Sequence, residues 1–171
     1  MSGHRVIKMD ALKKMYENLN LKNVRTYIQS GNVVFEESGK NAKAIATQIS
    51  QKIIKDFGFE VPVIVLQLSE LKEMLTNNPF VNDRNEDAKF LHVTLLASNP
   101  DQSDIDKIKA GQYGADEFKL SGRSVYLYCP NGYGNTKLSN TFFESKLKVT
   151  ATTRNWKTMN ELWRIAGGLN T

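Results

Sequence analysis

Two β-rich runs on either side of a Ser-Gly-Asn turn constrain this chain more than any other feature. Val24 to Phe35 reads Val-Arg-Thr-Tyr-Ile-Gln-Ser-Gly-Asn-Val-Val-Phe. β-Branched and aromatic side chains suit a pleated, half-buried surface, and Gly31 and Asn32 tolerate the positive φ angles of tight hairpin turns. The stretch is predicted to be a β-hairpin. The plan recurs from Asp116 to Cys129, with Ser121-Gly122-Arg123 as the turn. A hairpin used twice points to a repeated α+β unit.

Apolar spacing fills in the rest. Met9, Leu12, Met15, Tyr16 and Leu19 recur at intervals of three and four, as do Ala42, Ile45, Ala46, Ile49, Ile53 and Phe57, so residues 8–19 and 42–57 are predicted amphipathic helices. Gly58 is placed to end the second of them. The β-branched run Val61 to Leu66 is predicted to be a buried strand, followed by a short helix capped by Ser69. Asn77 to Asp87 is polar, contains Asn78-Pro79 and shows no period, so a linker is expected over 78–88 between domains 1–77 and 89–171. Beyond it come a strand from Phe90 to Ala97, a helix from Asp101 to Ala110, the second hairpin and a helix over 136–147 capped by Asn135 or Thr136. A short strand over 149–152 and a helix from Arg154 to Ala166 with Thr153 as its cap complete the reading.

The later half therefore reads β-α-β-β-α-β-α and the earlier half α-β-β-α-β-α. The βαββαβ order is that of a ferredoxin-like plait, four antiparallel strands with two helices on one face. The expected fold is two tandem αβ-plait domains, the first lacking its opening strand.

Composition narrows the class. The 171 residues are 40% hydrophobic, with no apolar run near the roughly 20 residues that span a bilayer. A cytoplasmic protein without a membrane segment is expected. The lone Cys129 excludes an internal disulfide and sits in an apolar strand, as a buried structural thiol does. Residues 1–68 carry ten Lys/Arg against six Asp/Glu, residues 69–136 seven against ten, and residues 137–171 six against two. Basic ends sharing a face would attract phosphates or acidic partners, whereas lysines solvated on helix exteriors would attract nothing in particular.

Three stretches carry a family resemblance. Arg25 to Phe35, then Tyr133-Gly-Asn-Thr-Lys-Leu-Ser-Asn140 with Phe142-Phe143-Glu144, and Thr152-Thr-Arg-Asn-Trp156 resemble the signature segments of the bacterial domain-of-unknown-function family 1697. The resemblance implies two tandem αβ-plait domains and no established activity. Members resembling this chain open with a hydrophobic strand before the residues matching Ser2-Gly3, and Met1 stands where they carry valine. A GTG codon read as a start explains that difference, so a native chain with an earlier first strand is expected. Without that strand, either another segment of the chain or a partner's strand, exchanged in a homodimer, would fill the gap.

The candidate chemistry is polar and cationic. His4 and His92 stand far apart with no Cys or carboxylate at ligand spacing, so no metal or other cofactor is expected. Ser30 lies in a turn with no histidine placed to activate it. The loop Asn131-Gly-Tyr-Gly-Asn-Thr-Lys137 runs from a strand into a helix, where backbone N–H groups and Lys137 suit a phosphate, although the Gly-Lys-Ser/Thr ending of a P-loop is missing. Arg154 offers a planar fork to phosphate or carboxylate. The expected ligand-binding set is Arg25, Gln29, Ser30, Asn32, Lys137, Asn140, Thr153, Arg154 and Asn155, gathered in a basic interdomain cleft around nucleic acid or a phosphorylated metabolite. Two alternatives stand beside it. One is a structural or interaction protein whose motif residues fix domain packing; the other is an enzyme acting on a phosphorylated small molecule, in which Arg25, Lys137 and Arg154 stabilise negative charge.

Overall fold

A computed structural model describes residues 7–28 and 31–168. The chain divides into two compact units, one of Met1–Glu70 with Glu161–Thr171 and one of Leu71–Asn160. It is a mixed α+β protein with a sheet in each unit.

In the first unit, helix α1 (Met9–Asn18) packs against strand β1 (Lys22–Tyr27), which pairs antiparallel with β2 (Asn32–Glu36). The core joins Leu12, Met15 and Tyr16 of α1 to Val24 and to Ile45, Ile49 and Ile53 of helix α2 (Ala42–Phe57). Burial in that core pushes the Tyr16 phenol above its usual value. α2 starts on the Asn41 side chain, which accepts from the Ala44 N–H at 2.7 Å, and stops at Gly58 with φ 84°. The hairpin turn departs from expectation in one respect. Gly31 takes the positive φ (83°), but Asn32 already belongs to β2, where its Nδ2 donates to the Tyr27 carbonyl at 3.1 Å, and Ile28 takes φ 48° instead.

Residues 61–66 are not a strand. Val61, Val63 and Val65 pack half-buried on the core, but the segment forms no ladder among the described residues. A β-branched run supplies the propensity for a strand, while the strand itself needs a neighbour to hydrogen-bond. Ser69 likewise lies inside helix α3 (Leu68–Thr76) and does not cap it; the Gln67 N–H is met by Glu70 Oε1 at 3.0 Å.

The second unit holds the larger sheet. Strands β3 (Leu91–Leu96), β4 (Glu117–Ser121), β5 (Ser124–Tyr128) and β6 (Ala151–Asn155) are antiparallel in the order β4-β5-β3-β6. Alternation along β5 and β3 sends Val125, Leu127 and Leu96 to one face. There they join Ile105 and Ile108 of helix α5 (Gln102–Lys109) and Phe143 and Leu147 of helix α6 (Asn140–Leu147). The opposite face carries Leu91, Val93, Leu95 and Tyr126, all buried. Tyr126 reaches α3, its hydroxyl donating to the Met74 carbonyl at 2.8 Å, and burial pushes its pKa up to about 12.

Residues 78–88, expected as a linker, are packed structure of this unit. The short helix α4 (Pro79–Asn82) is capped by Asn78 Oδ1, which accepts from the Phe80 N–H at 3.0 Å, and packs against β5. The Phe80 ring lies 5.9 Å from that of Tyr128, and the Arg84 guanidinium covers both rings at 5.3 and 4.9 Å. Arg84 also pairs with Glu117 of β4 and with Glu86. The division between units falls instead inside α3.

Candidate functional site

The polar motif residues of the second unit converge where β3, β6 and the start of α6 meet. Between β5 and α6 the chain makes a 3-10 turn, Tyr133–Asn135, and α6 begins only at Asn140. Its cap is Ser139, whose Oγ accepts from the Phe142 N–H at 3.2 Å; the expected caps Asn135 and Thr136 lie a turn too early. Thr136 has a different task. Its hydroxyl donates to Asp116 Oδ2 at 2.7 Å and accepts from the Leu138 N–H at 3.0 Å.

Asn140 is the hub. Its N–H donates to the Tyr133 hydroxyl at 2.8 Å, and its Nδ2 to the Ala151 carbonyl at 3.0 Å and Glu144 Oε1 at 3.2 Å. Its Oδ1 accepts from the Thr153 hydroxyl at 2.9 Å, and the Thr153 and Thr94 oxygens lie 2.7 Å apart. The second Glu144 oxygen accepts from the Ala151 N–H at 3.1 Å. Thr94 and Thr153 face one another in the β3–β6 register, and α6 carries Asn140 and Glu144 one turn apart on the same side. The result is a closed polar network tying α6 to the sheet.

The remaining candidates stand apart from that hub. Gln29 and Ser30 lie outside the described residues, as do His4 and the residues around Met1. Arg25 is exposed on β1 opposite Val34, and Asn32 is buried at the end of the first hairpin. Lys137 is exposed on the loop before α6. Arg154 follows Thr153 in a strand, so it occupies the other face of the sheet, in register with Val93. It is half-buried, donates to the Thr152 hydroxyl and the Thr153 carbonyl, both at 2.9 Å, and burial lowers its pKa. β6 runs to Asn155, which moves the cap of helix α7 (Trp156–Gly168) from Thr153 to Asn155, whose Oδ1 accepts from the Thr158 N–H at 2.7 Å. Trp156 is buried.

Two titratable groups border the hub. The His92 ring stacks on that of Tyr133 at 4.7 Å between centroids, and burial lowers its pKa. Cys129 is fully buried; burial pushes its thiol up, Asp116 adds to that, and the Thr136 hydroxyl opposes it. Such a thiol is a weak nucleophile. Among the described residues no group of three or more His, Cys, Asp or Glu side chains is arranged to hold a metal ion, and no helix is long and apolar enough to cross a membrane. The face of the sheet that bears Tyr126 is packed apolar structure, so it offers no open platform for stacked bases.

A family described as protein of unknown function (DUF1697) matches residues 1–126. The chain belongs to that family. No curated protein matches it. Among solved structures it is similar to a conserved bacterial protein, SP0830 from Streptococcus pneumoniae, at 18% identity and a TM-score of 0.76, over 97% of this chain and 92% of that one. At that identity the likeness concerns the fold.

Thr94 is the network member that the sequence reading passed over. Its signal is a lone hydroxyl in the apolar strand Leu-His-Val-Thr-Leu-Leu, which becomes informative only once β6 is known to lie beside it.

Proposed function

We propose that this is a non-catalytic interaction protein whose motif residues Asn140, Thr153 and Asn155 hold its own second unit in shape. One observation supports this reading above others: both polar ends of the Asn140 side chain are taken up by Thr153, Glu144 and Ala151. Three N–H groups on the way into α6 are engaged too, that of Leu138 by Thr136, that of Asn140 by Tyr133 and that of Phe142 by Ser139. A phosphate drawing on those three would have to displace bonds already made.

A ligand-binding reading, with nucleic acid or a phosphorylated metabolite as the ligand, draws support from the basic end of the chain. Lys137, Lys146, Lys148 and Lys157 are all exposed. Fluorescence anisotropy of labelled single-stranded RNA and duplex DNA at about 50 and 200 mM salt separates the two, because phosphate contacts weaken steeply over that range. No binding at the lower salt is expected. Salt-sensitive binding that Arg154→Ala abolishes at unchanged Tm would replace the interaction reading with a ligand site.

We also propose that the two units are one plait used twice. Both follow a helix, hairpin, helix order, and 61–66 stands where β6 stands in the second unit. On this plan a strand equivalent to β3 would pair with both β2 and residues 61–66.

A further inference from the structure

We propose that His92 is a proton-operated latch on the segment from Tyr133 to Asn140, holding it against the sheet when neutral and releasing it when protonated. Three contacts place it there. The imidazole and the Tyr133 ring are nearly parallel, 22° apart with centroids at 4.7 Å. The hydroxyl of that same tyrosine accepts the first N–H of α6, from Asn140, at 2.8 Å. Asn140 in turn is tied to Thr153, directly across from Thr94 on the strand that carries His92. The ring is thus the one histidine side chain in a circuit of β3, loop, α6 and β6.

The charge of the ring matters because of what surrounds it. Nδ1 is buried and has no hydrogen-bond partner among the described residues. A neutral imidazole can leave that nitrogen as an idle acceptor, whereas an imidazolium turns it into a buried donor with nothing to receive it. From β5 the ring faces Leu127, with the Cys129 thiol near the strand end; from β6 it faces Asn155; from the loop it faces Tyr133. Glu144 is committed to Asn140 and Ala151; Asp116 gives its Oδ2 to Thr136, and its buried Oδ1 has no hydrogen-bond partner among the described residues, the imidazole included. Burial alone accounts for the lowered pKa of His92. Attraction between an imidazolium and the tyrosine face opposes release, but it is a smaller effect than stranding a buried charged donor. A histidine whose folded pKa lies below its unfolded value of about 6.5 contributes full stability above that value, and the contribution is lost as pH falls from there through the lower folded pKa. The latch gives that loss a location.

Amide exchange followed by NMR on the full chain from about pH 5 to 8 tests this, with each rate divided by its intrinsic value at that pH. The His92 ring is identified by the signal missing in His92→Gln. As His92 protonates, protection at Asn140 is expected to fall about fivefold or more, while Val93 and Leu127 in the strands change less. In His92→Gln, Asn140 protection should be flat with pH. Protection that stays constant or rises on acidification in the parent protein would overturn the proposal, as would an unchanged pH response in His92→Gln. If that variant does not fold, Tyr133→Phe serves instead: it removes the hydroxyl that receives the Asn140 N–H, so Asn140 should be poorly protected throughout, and a surviving pH response there would overturn the latch.

Discussion

Replacing Phe80 by alanine is expected to destabilise the second unit by about 3–5 kcal/mol, the range for removing a fully buried aromatic ring. The ring is 1% exposed, stacks on Tyr128 and lies beneath Arg84. For a unit of this size each kcal/mol moves Tm by roughly 4–8 °C, so the transition should shift by more than about 10 °C. Circular dichroism on heating measures it, and Phe80→Leu should fall between the parent and the alanine variant. The result bears directly on how the chain is divided. A residue in a solvated linker would change stability by less than about 0.5 kcal/mol. A shift that small would restore the boundary at 78–88.

That boundary shows where sequence reasoning stops working. Both hairpins, α1, α2 and α5 were legible because their signals are local: alternation, a period near 3.6, glycine at a turn or helix end. Gly58 and Gly122 take positive φ where the sequence asks for it. α4 has only four residues, too few to show a period, and exists because Asn78 caps it and Phe80 is buried by distant parts of the chain. Its polar composition reads as a linker because the one residue that matters is a single phenylalanine. Residues 61–66 fail in the opposite direction: the local signal for a strand is strong, and the ladder that would make one is absent among the described residues.

The candidate site was legible as a set of residue types and not as an arrangement. Asn140, Thr153, Arg154 and Asn155 stand out as polar cargo, but their roles depend on phase. One residue of shift in β6 decides that Thr153 meets Asn140 while Arg154 faces the other way. The same shift gives the helix cap to Asn155. Phase of this kind is fixed by the register of β6 on β3, a contact between residues about sixty apart in the chain, and nothing within either segment announces it.

The register makes a second large effect expected. Asn140→Ala removes three side-chain hydrogen bonds and leaves the Ala151 carbonyl and Thr153 hydroxyl without their partner. At about 1 kcal/mol per bond, with a further penalty for groups left unmatched, the loss should be about 2–4 kcal/mol, read by urea denaturation. Asn140→Asp separates geometry from charge. It preserves the acceptor for Thr153 but sets a second carboxylate where Nδ2 lay 3.2 Å from Glu144 Oε1. Like charges that close disfavour joint ionisation, so this variant should be less stable than Asn140→Ala at neutral pH and recover as pH falls and one carboxylate takes a proton. Thr153→Val provides the cross-check, since it strands the buried Thr94 hydroxyl on the far side of the same chain of bonds. In a double-mutant cycle, Asn140→Ala and Thr153→Val should be coupled by about 0.5–3 kcal/mol. Costs that simply add would mean that the two residues act separately, and the motif would lose its reading as a single structural device. That outcome would return Asn140 to the list of side chains available to a ligand.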